Sequence, residues 1–220
     1  MIIQFIEVKE LLEEFNQIAE RSQNIAIFTR DIELQKAELQ TLSNFIEKSN
    51  SLKISNKDKY SEEELNLILF IIFSIDAVKS ELEMVISLKD NKMDLAWSSL
   101  VHAQIQISIA ATNHPFNKNT LNGYVLKLDR YEKLLFPKMM FASAGYLVKK
   151  TKCSICELEY EDCDHLKGKF YNGELCVREI HEAELEEVSL VENPANKLCR
   201  ALSAIFDGKE VDPLTFTEKK

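Results

Sequence analysis

Leu65-Asn66-Leu67-Ile68-Leu69-Phe70-Ile71-Ile72-Phe73 is the stretch that decides the fold. Only Asn66 is polar, so a helix wound from it has no solvent-facing side and belongs in the middle of a bundle. Ser61 and Glu64, just upstream, have capping-box spacing: hydroxyl and carboxylate are placed to satisfy the free N–H groups of a first turn. The spacing predicts a helix from near Ser61 through Leu88, amphipathic toward its end. Nine residues is less than half of the ~20 that a membrane-spanning helix needs.

Upstream, residues 2–52 read as helix, with a weak point at Ser22-Gln23-Asn24. Phe28, Ile32, Leu39, Leu42 and Ile46 recur at 3- and 4-residue steps, a heptad-like seam interrupted by Gln35, which points to a bundle or coiled-coil surface. The polar run Ser49–Lys59 reads as a connector. Downstream, a third helix covers about Met93–Ala111, with Trp97 as core, and stops at Asn113-His114-Pro115 because proline disfavours helix at the residue before it. A fourth runs from about Leu121 to Phe136 and ends at Pro137.

All 5 Gly and 4 Pro lie at or beyond Pro115. More than a hundred residues without either exclude an all-β or α/β beginning, whose tight turns lean on both. Residues 1–150 carry 18 basic and 20 acidic side chains, and residues 151–220 carry 9 and 16. That acidic end argues against a broad nucleic-acid surface, which needs a basic patch. Met1-Ile2-Ile3-Gln4-Phe5 lacks the basic start of a signal peptide, and the chain is expected to be cytoplasmic.

The five cysteines (Cys153, Cys156, Cys163, Cys176, Cys199) are confined to the last third. Their odd number and tight spacing favour thiolates over disulfides. Cys153-Ser154-Ile155-Cys156 followed by Cys163-Asp164-His165 sets three thiols and an imidazole within thirteen residues, a frequent closed ligand set for structural zinc. Cys176 is the substitute ligand if His165 points away. A set of unrelated buried thiols and a redox Cys-x-x-Cys pair are the competing readings. Around these residues the pattern is β. Phe141–Val148 reads as a buried strand, Asn172-Gly173 as a hairpin turn, and Leu185–Val191 as a further strand. Asn193-Pro194-Ala195-Asn196 is expected to lead into a short helix, which would carry Cys199 and be closed by Asp207-Gly208.

Ala142-Ser143-Ala144-Gly145-Tyr146 resembles the serine strand of tailed-phage prohead proteases. Glu187-Val188-Ser189-Leu190-Val191 with Pro194-Ala195-Asn196 resembles a later strand and turn of that family. The cysteine–histidine segment between them is similar to zinc inserts of phage protease-like and prophage proteins. The likeness covers about residues 140–200. It implies Ser143 at the position of the nucleophile and Glu187 at that of its acidic partner. The family's histidine base would precede the serine; the upstream His102 and His114 lie on helical sequence outside any matching motif.

The expected fold class is α+β. A helical bundle or set of helical hairpins (1–139) precedes a zinc-stapled antiparallel β unit with a terminal helix (140–208), and a tail (209–220) follows. The expected function is a non-enzymatic, zinc-binding interaction or assembly protein of phage, prophage or anti-phage origin, acting on a protein partner or on itself. Alternatives are a serine peptidase using Ser143 and a zinc-dependent nucleic-acid binder.

Overall fold

The computed structural model describes residues 3–117 and 119–218. Five α-helices are followed by small antiparallel sheets: α1 (Ile6–Phe28), α2 (Ile32–Ser55), α3 (Glu62–Lys89), α4 (Met93–Thr112) and α5 (Asn122–Leu135), then β1 (Phe141–Cys153), β2 (Phe170–Tyr171), β3 (Glu174–Leu175), β4 (Arg178–Val191), β5 (Ala204–Phe206) and β6 (Lys209–Val211). The class is α+β, as the sequence predicts.

Helix α3 is the centre. Leu65, Leu67, Ile68, Leu69, Phe70 and Ile71 are all buried, and α1, α2 and α4 pack around them. The capping box forms in full: the Ser61 hydroxyl accepts from Glu64 N, and the Glu64 carboxylate accepts from Ser61 N. Glu64 also accepts from Gln4 N at 2.7 Å and Phe5 N at 3.0 Å, so the α3 cap secures the entry to α1.

The first helical segment is two helices, broken at Thr29–Asp31 rather than at Ser22–Asn24. Asp31 caps α2 by accepting from Glu33 N and Leu34 N. Ser22 does not weaken α1, because it is buried and donates to Glu38 across the helix pair. The seam on α2 also differs: its buried residues are Gln35, Glu38, Leu42, Phe45 and Ser49, while Phe28 is exposed at the end of α1. The face tolerates polar residues because each is bonded. Gln35 donates to Thr29 O and accepts from Lys89 Nζ, and the Ser49 hydroxyl returns to Phe45 O. Helix α2 runs on to Ser55, well into the stretch read as connector, and Asn56 closes it by donating from its side chain to Leu52 O.

Trp97 is buried, as expected, and its Nε1 donates to Lys197 O at 3.0 Å. Its ring also meets Phe136 and Phe141, which joins α4 to the start of β1. Strands β1 and β4 form a long two-stranded ribbon. It is longer than either strand read from the sequence, and in Phe141–Val148, expected to be buried, only Phe141 is.

The terminal helix is absent. Residues 192–203 are irregular, and the chain ends in the β5–β6 hairpin, turned at Asp207-Gly208 with both φ positive. The segment spends its backbone groups on the start of β1 instead: Ala142 N donates to Cys199 O at 2.7 Å and Ala201 N to Met140 O at 2.8 Å, bonds that hold it extended beside Phe141. The hairpin straddles residues 208 and 209, so the supposed tail takes part in structure, and Leu214 is buried. Phe141, Phe170 and Leu214 share one buried cluster with the helices. The three compositional segments therefore rest on a common core.

Candidate metal centre

Strand β1 delivers Cys153 at its last position, and the backbone then curls around that sulfur. Ile155 N donates to Cys153 Sγ at 3.4 Å, and Glu157, at φ 60°, returns its N–H to Cys153 O. The curl brings Cys156 back beside Cys153. After the short 3₁₀ turn Tyr160–Asp162, Cys163 and His165 approach from the other side, with His165 N donating to Cys163 Sγ at 3.2 Å. Two phenols brace this loop: Tyr160 accepts from Lys167 N and Tyr171 from Leu166 N, both at 2.9 Å. The His165 ring stands edge-on to Tyr171, 4.5 Å between centroids.

The ligand atoms of Cys153, Cys156, Cys163 and His165 all lie within 4.8 Å of one another. Cys156 and Cys163 sulfurs are 3.4 Å apart, and His165 Nδ1 is 3.2 Å from Cys163 Sγ. Two thiolates on one tetrahedral ion with bonds of about 2.3 Å sit about 3.8 Å apart, so the set is close to ligating geometry. The arrangement could hold a metal ion. Cys176 follows β3 and is buried, its sulfur 3.8 Å from Cys153 Sγ. It lies beside Cys153, outside the four residues whose ligand atoms all converge. Cys199 is exposed and lies on the irregular segment, not on a helix.

The thiols influence one another strongly. Burial pushes Cys153 up, but the N–H groups of Cys156 and Ile155 and the neighbouring Cys163 and Cys156 thiols more than reverse this, bringing it down to about 6. Burial and the Cys153 thiolate hold Cys163 and Cys176 up at about 11. One preformed thiolate among protonated neighbours is an attractive first ligand for a cation, which then displaces the remaining protons.

The metal loop is docked on the helices. Phe170 stacks on Phe73 with centroids 5.5 Å apart. Asn113 reaches past the end of α4, donating to Gly168 O and accepting from Phe170 N, while Asn66 accepts from Gly173 N. The Asn172-Gly173 turn has φ of 48° and 74°, both left-handed, as the predicted hairpin requires. Sequence reading missed the docking role of Asn66 and Asn113. Asn66 is the one polar residue of the central apolar run, and that was the available signal.

Compared with known protein families, curated proteins and solved structures, the chain matches none.

Ser143 and Glu187 both lie on the ribbon, but not as partners. Ser143 faces Ser189 across the strands, and Glu187 faces Gly145. Among the described residues no hydrogen bond joins a histidine ring to the Ser143 hydroxyl. His102 is held by Asp76, His114 accepts from Phe116 N and Asn117 N, and His181 lies beside Glu179.

Proposed function

We propose that this chain is a non-enzymatic interaction protein whose β unit is stapled by a structural zinc held by Cys153, Cys156, Cys163 and His165, with Cys176 in reserve. The convergence of these four ligand atoms within 4.8 Å, between a long ribbon and a docked hairpin, carries the reading. Three thiols and an imidazole suit zinc, whereas calcium and magnesium prefer oxygen donors. The metal would close the base of the ribbon, since Cys153 ends β1 and Arg178, its cross-strand partner, begins β4. A net charge of −9 favours a protein partner over nucleic acid. The likeness of residues 140–200 to prohead protease-like proteins supports a phage, prophage or anti-phage setting for the assembly.

Metal analysis of the purified protein tests the site. The expected result is one zinc per chain, lost in Cys153→Ser/Cys156→Ser. A folded wild type without metal would overturn the reading.

A further inference from the structure

Four aromatic rings line one cavity of about 610 Å³ between α1, α3 and the end of α4. Phe15 comes from α1, Phe70 from α3, and His114 and Phe116 from the turn that follows α4. They meet in a chain, each steeply inclined to the next. Phe15 stands at 69° to Phe70, Phe70 at 64° to His114 and His114 at 70° to Phe116, with centroids 6.2, 4.8 and 6.2 Å apart. Within this chain no ring face is covered by a parallel neighbour, so the rings form the walls of a box rather than a stack. Phe70, buried, is the inner wall, and Phe116, 57% exposed, is the outer one.

The turn builds His114 into the wall in its neutral form. Its Nδ1 accepts from Phe116 N at 3.1 Å and from Asn117 N at 3.0 Å, so that nitrogen holds a lone pair. Burial also keeps its pKa below the ordinary 6.5. The imidazole therefore does not repel a cation. Among the described residues, Glu20 is the only charged side chain on the lining, and it is exposed to solvent. The remaining polar lining is neutral: the amides of Asn16, Gln23 and Asn24 and the hydroxyl of Thr120.

We propose that this cavity binds a quaternary or methylated ammonium group. The faces of aromatic rings are negative, and a cation set among several of them is held by all at once. Methyl groups on the nitrogen make apolar contact with the walls. A primary ammonium would instead lose hydrogen-bonding waters that rings cannot replace. Glu20 supplies the counter-charge. A neutral planar ring would stack on one wall and use neither the box nor Glu20. The cavity is of ordinary small-ligand size, so the ammonium has room for a longer body beside the amides. The proposal is independent of the metal centre.

Calorimetric titration of the full chain with choline, up to about 10 mM to detect a millimolar dissociation constant, tests this. Dimethylbutanol, the uncharged isostere of choline, is the control and should bind at least roughly tenfold more weakly. Phe116→Ala should weaken choline roughly tenfold, and Phe116→Tyr should restore it, since a phenol keeps the ring face. Glu20→Gln should weaken choline about threefold and leave the alcohol unchanged. Both positions are exposed, and helical circular dichroism checks that each variant folds. Acetyl-trimethyllysine amide is the second probe. Binding of either compound supports the proposal, and the tighter one shows whether a free cation or a methylated side chain is the source. Failure of both to bind overturns it. Equal affinity for choline and the alcohol also overturns it, leaving an apolar cavity without cation recognition.

Discussion

Phe170 stacks on Phe73, ring centroids 5.5 Å apart and 23° from parallel, and so ties the metal loop to the central helix. Phe170 is buried in the cluster that includes the helical core. Phe170→Ala should cost about 3–4 kcal/mol, the usual range for emptying a buried phenylalanine site. In wild type the helical signal and the metal-loop signal should melt together. In the variant the loop should loosen at lower denaturant, read by the thiol reactivity of Cys153, Cys156 and Cys163 beside helical dichroism.

Metal removal should act on the same joint. Chelation at neutral pH should lower the melting temperature and expose the thiols to a colorimetric reagent, because the ion contributes folding energy to the unit it closes. His165→Ala should weaken metal binding at least tenfold. Cys176→Ser should retain one metal per chain, since four donors remain at the centre. Retention by His165→Ala with loss in Cys176→Ser would exchange the roles of these two residues.

Glu64 gives the helical half an acid-sensitive contact. Burial pushes its carboxyl up, but the N–H groups of Phe5, Gln4 and Ser61 and the Ser61 hydroxyl bring it below the ordinary 4.5. A carboxyl lowered in the folded state stabilises the fold above its unfolded value. That stabilisation is lost as pH falls from 4.5 through the lower folded value. Urea midpoints should therefore drop below pH 4.5. Glu64→Gln should cost roughly 2 kcal/mol at pH 7 and show a smaller acid loss. An unchanged acid profile in the variant would remove Glu64 from this role.

Gly173 combines a positive φ of 74° with close quarters. A Cβ there would stand 3.1 Å from Leu65 Cβ and 3.2 Å from Lys53 Cδ. Gly173→Ala should destabilise by about 2 kcal/mol, from left-handed strain and displaced neighbours. The bond from Lys53 Nζ to Gly173 O, 2.9 Å in the structure, should weaken with it. Equal stability of the two chains in urea would contradict this.

Several features were determined by the sequence alone, all of them local. The all-apolar run at Leu65–Phe73 set α3 at the centre, Ser61 and Glu64 formed the cap, and Asn172-Gly173 made the turn. The four candidate ligands were legible because a knuckle is a short-range object: ligand spacing and backbone curl lie within thirteen residues. Tertiary structure decided what depends on distant partners. The α1–α2 break moved because Ser22 finds Glu38 and Gln35 finds Lys89. The last segment became a hairpin packed by Leu214 instead of a helix, since short-range propensity there is weak. The apolar face that the β1–β4 ribbon turns outward was also hidden in the sequence, because a bulge between Gly145 and Tyr146 decides which side Leu185 shares with Val188. Alternation along one strand has no phase until the opposite strand supplies it.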